Sequence, residues 1–388
     1  MTNANTLIYD RNITDYKRGT FIGNLDYAGL IAKPSACYPW NTTDHFYITE
    51  KFIPIRSFIT FQMMFANIAP VLLTGTFAER IKFRHYIAFI VLWELIVYYP
   101  IAHLILHDNG WLKKSGTLDF AGGITIHFMP GVTAFFASIW IPKRKTKLDS
   151  SHNLPLACIG ASLLWMGWYG FNAGSAMITP SKASLALMNT HTSPIFSFFI
   201  WMVGGYFFER KISIIYGFNG AIAGLAAITS GSGFVEDWAT IIISCVSGVI
   251  SLTVYISRRY IINFLSKTYY FSDIFDDTLD VFAIHGVSGF IGTMFVGLFA
   301  TTNVNKGLQL QGSFYDISSP LIGIQLFALL ITCIWTSFFT NIIFLIIRLS
   351  FCWESMNDPQ AEIGLDITQH REEAYNDERI DETELLIY

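Results

Sequence analysis

The stretch LDFAGGITIHFMPGVTAFF, residues 118–136, decides the fold by its length and by its lack of charge. After Asp119 no charged residue follows until Lys143, so 120–142 forms one continuous apolar segment. A helix crossing the hydrocarbon core of a bilayer needs about 20 mostly apolar residues. A second stretch, LDVFAIHGVSGFIG (279–292), is built the same way. Each carries one histidine, His127 or His285, at membrane depth, a few residues past a Leu-Asp pair.

Composition agrees with this reading. Of 388 residues, 52% are hydrophobic and 14% charged, against about 25% charged in soluble globular chains. Nine apolar spans are expected, at roughly 57–78, 85–106, 120–142, 153–177, 184–208, 214–232, 238–257, 279–301 and 320–349. Backbone facing lipid must satisfy its own hydrogen bonds, so spans of this length are helices. The fold class expected is an all-α polytopic membrane protein. Its parts are an extracellular N-terminal segment (1–56), a transmembrane domain (57–350) and a cytoplasmic tail (351–388). No signal-peptide core precedes the first span. The five cysteines, at 37, 158, 245, 333 and 352, form no disulfide framework or metal-binding CxxC motif.

Basic residues set the orientation. One set of loops and span ends holds 13 Lys/Arg residues: Arg80, Lys82, Arg84, Lys143, Arg144, Lys145, Lys147, Arg210, Lys211, Arg258, Arg259, Lys267 and Arg348. The opposite set holds 4: Lys113, Lys114, Lys182 and Lys306. The richer side is cytoplasmic, which puts the N-terminal segment outside and the tail inside. Glycosylation sequons at Asn12 and Asn41 fall on the outer side.

Ionisable residues at membrane depth are costly and usually face a cavity or a partner. The bland role for one membrane histidine is an interhelical hydrogen bond. The matching contexts of His127 and His285 favour a diverged internal repeat, because both precede glycine-containing stretches, HFMPG and HGVSG, that let helices approach closely. Asp119 and Asp280 open their spans, where a carboxylate caps free N–H groups. Glu94, inside the second span, has no matching mate and reads as structural or as facing a subunit interface. Hydrolase, nucleotide-binding and zinc-protease motifs are missing from the sequence. His103, His107 and His191 do not join the pair at metal-ligand spacing. No metal, cofactor or nucleic-acid partner is expected, and an intramembrane metallohydrolase stands only as a distant alternative.

Several longer motifs occur in a fixed order: FIGNLDYAGL (21–30), TGTFAERIKF (74–83), PIAH (100–103), LDFAGG (118–123), MGWYGFNAGSA (166–176), GAIAGLAAIT (220–229), DVFAIHGVSG (280–289) and EIGLDITQHREEAY (362–375). Through them the chain resembles the Amt/Mep/Rh ammonium transporter superfamily, on the Amt/Mep side, from about residue 20 to 375. The resemblance implies an ammonium-transporter-like helix bundle with an inverted repeat and a narrow apolar pore. It also implies a homotrimer or a mixed trimer with full-length paralogues, in the plasma membrane. Ammonium or ammonia would be the substrate and the lipid bilayer the surroundings. It implies that His127 and His285 are pore twin histidines, that Phe65 and Phe171 are a pore gate, and that Ser175 belongs to an outer recruitment site supported by Asp119. Thr368 matches a position that is a regulatory phosphosite in plant relatives. Eleven helices are usual in the family. Nine are expected here, the two before FIGNLDY being absent from this sequence. A truncated, non-transporting relative acting as sensor or regulatory subunit is therefore the alternative function.

The chain departs from the family pattern at four further places. Leu106 stands where an outer-site tryptophan is usual, with Trp111 nearby. Pro130 follows His127 by three residues and is expected to disturb the helix. Arg371 replaces a common glycine, and Ser230 a usual proline.

Overall fold

The computed structural model describes residues 37–38, 53–78, 80–141, 153–177, 179–268, 276–351 and 365–372. The sequons Asn12 and Asn41, the basic residues 143–147, and most of the N-terminal segment and tail lie outside these residues. Within them the chain is helical. The long helices are α1 (Ile55–Phe77), α2 (83–106), α3 (Gly123–Trp140), α4 (Leu154–Gly174), α5 (Pro180–Glu209), α6 (Ile214–Thr229), α7 (Asp237–Thr268), α8 (Phe282–Phe299) and α9 (Leu321–Ser350). Each coincides with an expected span. Two short strands, Cys37–Tyr38 and Ile53–Pro54, pair antiparallel ahead of α1.

Seven of these helices, all except α5 and α6, are long and apolar enough to cross a membrane. α6 is apolar but has only 16 residues. α5 has a polar middle, and the bundle uses it. Asn189 donates to the carbonyls of Ser232 and Val235, Ser193 donates to the carbonyl of Gly224, and Asn172 on α4 donates to Thr190. Lipid is as apolar as leucine, so contacts of this kind, about 0.6 kcal/mol each, help hold membrane helices together.

Three spans change their winding. α2 passes through a wide, π-type segment at Glu94–Tyr98, α3 opens with one at Gly123–Phe128, and α8 with one at Phe282–Val287. In the first two a proline follows closely, Pro100 and Pro130. A proline offers no N–H to the carbonyl four residues back. The winding relaxes to five-residue bonds, from Tyr99 to Glu94 and from Met129 to Ile124. Pro130 therefore widens the turn around His127 rather than ending the helix. The carbonyl of Ile96, inside the first wide turn, accepts the Trp335 indole N–H from α9 at 3.0 Å. Glu94, half-buried there, accepts the Tyr99 hydroxyl at 2.8 Å.

Three clusters of apolar packing flank the middle of the bundle. One joins α1, α2, α3 and α9 through Phe89, Trp93, Ile101, Ile126 and Phe344. The others join α5, α6, α7 and α8 through residues such as Trp201, Ile243 and Val296. Outward-facing residues are also apolar: Ile87, Val91 and Leu95 line one face of α2, and Leu330, Ile334 and Phe338 one face of α9. α4 is the most open helix, with 6% of its apolar window buried.

Candidate functional site

α3 and α8 cross where neither has a side chain to keep them apart. A Cβ at Gly131 would lie 2.2 Å from the Gly286 Cα, and one at Gly289 would lie 2.6 Å from the Gly123 carbonyl oxygen. This close approach places the two histidines together. The Nδ1 atoms of His127 and His285 are 3.2 Å apart, with the rings 20° from parallel and 5.3 Å between centres. One hydrogen is shared between the two Nδ1 atoms. The ring that holds it presents a bare Nε2 acceptor, and the other ring presents an Nε2–H donor. The Nε2 of His127 is buried and has no hydrogen-bond partner among the described residues. The residue itself is 1% exposed. A buried polar atom left unpaired is costly, and one beside a conduit is a place for a small polar guest.

A train of rings leads away from the pair. Trp168 lies nearly parallel to His127, with centres 5.1 Å apart, and its indole N–H is held by the Thr229 hydroxyl at 2.9 Å. Phe171 stands edge-on to Trp168 at 6.2 Å. Phe171 and Phe65 stack face to face at 4.3 Å and 16°. Phe61, one helical turn beyond Phe65 on α1, meets it edge-on at 5.0 Å. Ser175 ends α4 one turn beyond Phe171, and its hydroxyl donates to the Phe171 carbonyl. A chain of ring contacts thus joins His285 and His127 through Trp168 to Phe171 and Phe65, with Ser175 one turn beyond Phe171. Phe61, Trp168 and Thr229 join it without having been singled out by sequence.

Asp119 sits just before α3, 4% exposed. Its carboxylate accepts the N–H groups of Gly122, Gly123, Ile124 and Thr125 at 2.6–3.2 Å. It is a cap, as its position suggested. Burial pushes its carboxyl up to about 6, against the opposing pull of those four N–H groups. The matching expectation for Asp280 is corrected. The side chain that caps α8 is Asp277, which accepts the Phe282 N–H at 2.8 Å. Asp280 has left-handed backbone (φ 57°) and turns its carboxylate to Arg258 at 2.7 Å. The signal was present in the spacing: Asp119 and Asp277 each stand eight residues before their histidine. Burial raises the Asp277 carboxyl above its usual range.

The remaining expected residues sit elsewhere. Trp111 packs edge-on against Phe327 of α9 at 6.0 Å, and Leu106 is half-buried. Ser230 shares a hydroxyl contact with Thr293 at 3.0 Å, and a Cβ at Gly123 would run into it. Thr368 is half-buried in a short turn, Asp366–His370, which Arg371 closes with φ 57°. A left-handed closing residue is the position where glycine is ordinarily favoured. No cluster of three or more His, Cys, Asp or Glu side chains suited to a metal occurs among the described residues.

Comparison with known proteins matches the chain over most of its length. The family model described as Ammonium Transporter Family matches residues 14–375. The chain belongs to the ammonium transporter family. It is 38% identical over 362 residues to ammonium transporter 1 of Dictyostelium discoideum, covering 92% of this chain and 73% of that one. It is 36% identical over 359 residues to the ammonium transporter of Bacillus subtilis, covering 92% and 83%. Among solved structures, the crystal structure of Saccharomyces cerevisiae Mep2 aligns with a TM-score of 0.75 at 27% identity, over 92% of this chain and 78% of that one. Family members are transporters or channels rather than enzymes, so the metallohydrolase alternative finds no support. The chain is a multi-pass membrane protein.

Proposed function

We propose that this chain moves ammonium across the membrane by passing ammonia through the line of residues from Phe61 to His285. Family membership supplies the substrate. The observation that carries the mechanism is the buried His127–His285 contact, with the Nε2 of His127 left without a partner among the described residues. An ammonium ion loses several kcal/mol of hydration on entering such a path. The aromatic faces of Phe61 and Phe65 offset part of this at the mouth by cation–π attraction. The stacked Phe65 and Phe171 rings stand across the way inward and exclude hydrated ions. Beyond them a charge without water neutralises, so the proton is shed and ammonia continues. The histidine pair then offers one acceptor and one donor, enough to hold ammonia briefly and not enough to trap it. Ser175 and Asp119 act at the outer end, Ser175 as a hydroxyl near the mouth and Asp119 by fixing the first turn of α3.

The assembly we infer is a homotrimer or a mixed trimer with related chains in the plasma membrane, in keeping with the open apolar face of α4. Thr368, half-buried in its turn, is a candidate regulatory phosphosite, since added phosphate charge would displace that turn.

The test is ammonium-dependent growth and methylammonium uptake in a yeast lacking its own transporters. The His127→Ala, His285→Ala double variant is expected to lose uptake at unchanged surface level, and Phe171→Ala to admit larger cations. Normal transport by the double variant would overturn the mechanism. A wild-type chain that reaches the surface without transporting would instead support a sensor or regulatory subunit.

A further inference from the structure

The two histidine-bearing spans begin alike and are held differently. Asp119 is satisfied by its own backbone, four N–H groups folded around one carboxylate, with the left-handed turn taken by Gly122 (φ 103°). The inner counterpart borrows from its neighbours. Asp277 accepts the Phe282 N–H and, from α1, the Thr76 hydroxyl, both at 2.8 Å. The left-handed turn here falls on Asp280, which has a Cβ and adopts that conformation less readily than glycine. Residues 276–280 are tied on two sides. On the α1 side, Leu279 N–H bonds to the Gly75 carbonyl at 3.1 Å. Arg80 donates to the carbonyls of Thr76 and Asp276 and lies 3.5 Å from the Asp276 carboxylate. On the α7 side stands Arg258, with one guanidinium nitrogen 2.7 Å from the Asp280 carboxylate and another donating to the Asp277 carbonyl.

We propose that Arg258 is a positioning residue for the pore: its two contacts hold Asp280 in its left-handed turn and seat Asp277 under α8, and so set His285 against His127. The inference rests on the pore reading above. It follows from how little tolerance the site has. The Nδ1–Nδ1 distance of 3.2 Å is at the long end of a hydrogen bond. A shift of a few tenths of an ångström in the first turn of α8 breaks it. The outer half has a glycine in its turn and needs no such tie.

The test compares uptake by full-length variants at equal surface level in transporter-deficient yeast. Arg258→Met is expected to lower maximal ammonium uptake about tenfold and to change the methylammonium-to-ammonium ratio, with Arg258→Lys recovering part of both. Glycine adopts the left-handed turn freely, so adding Asp280→Gly to Arg258→Met is expected to restore most of the lost rate. A defect of folding alone would lower the surface level and leave the ratio unchanged. Should Arg258→Met fail to reach the surface, the single variants at 280 decide. Asp280→Gly and Asp280→Asn keep a residue that tolerates the turn and are expected to transport well, while Asp280→Ala is expected to fail. Wild-type behaviour of Arg258→Met, equal behaviour of Ala and Gly at 280, or no rescue by the double variant would overturn the proposal. If His127→Ala, His285→Ala still abolishes uptake while the Arg258 and Asp280 series is flat, only the positioning role falls. If the histidine variant transports normally, the pore reading itself falls.

Discussion

A methyl group added at Gly131 would stand 2.2 Å from the Gly286 backbone, while the same methyl at Gly167 on α4 meets nothing within 4 Å. One chemical change thus has two opposite expected outcomes. Gly131→Ala must push α3 and α8 apart, at a cost on the order of 1–3 kcal/mol, and so separate the histidines. Gly167→Ala is expected to leave both stability and transport near wild type. Thermal unfolding in detergent and ammonium uptake, measured on both variants, check this; a Gly131→Ala protein with wild-type uptake would show that the crossing does not set the pore. Residue by residue, the sequence was informative where the chemistry is rare. His127 and His285 stood out because few titratable groups occur in apolar runs. Phe61 and Trp168 did not, because 16% of the chain is aromatic and nothing local separates a pore ring from a packing ring. The Leu-Asp pair points to Asp280, whereas the eight-residue spacing to histidine points to Asp277.

On the face assigned outside, one carboxylate ties two loops to the start of α7. Glu236 accepts the side chains of Asn303 at 3.0 Å, Trp238 at 2.6 Å and Tyr315 at 3.1 Å. These bonds, led by Asn303, hold its pKa below the usual glutamate value, while Tyr315 is pushed up to about 12 by burial and by its bond to Glu236. For a carboxylate with a depressed pKa, the stabilisation is present above the ordinary value near 4.5 and is lost as pH falls through the lowered one. Hydrogen exchange of residues 301–315 is therefore expected to stay slow at pH 5 and to quicken only below the ordinary glutamate range. Glu236→Gln is expected to remove that acid step; an acid step of the same size in the variant would assign it to another group. Among the elements, all nine expected spans coincide with helices, because a long apolar run in lipid has no other way to satisfy its backbone. Their ends were less legible. α7 runs to Thr268 rather than 257, since its last turns carry the polar residues with which a span is read as ending. The spans of His127 and His285 start a few residues late, since the capping loops before them are themselves apolar. The wide turns were only half legible: Pro130 announced a disturbance, but not that it would take the form of a looser winding.

For the whole molecule, sidedness follows from the placement of basic residues, and it can be read directly. Ser318 is exposed on a loop assigned outside, and Lys211 is exposed on one assigned inside. An impermeant maleimide added to intact cells is expected to label Ser318→Cys above the wild-type background and to leave Lys211→Cys unlabelled until the membrane is opened. The reverse pattern would invert the topology. On α4, Leu156, Ile159 and Leu163 are open in the single chain. If that face meets another subunit, Leu163→Lys is expected to weaken the trimer on native gels while a change on the exposed face of α9 such as Ile334→Ala leaves it intact. The sequence indicated a bundle and its direction. It could not show which apolar faces meet lipid and which meet protein, because both demands select the same residues.

The contact between the two Nδ1 atoms also has an isotopic consequence. One hydrogen serves both rings, so neither ring can change state alone, and the two form a single bistable unit. In heavy water the shared nucleus becomes deuterium. If the proton released from ammonium travels through the pair, every turnover must break and remake that bond, and uptake slows beyond what a glycerol control of matched viscosity explains. If the proton takes another route, the rings only guide a neutral molecule past, and the slowing is no more than that of drawing a deuteron from ammonium itself.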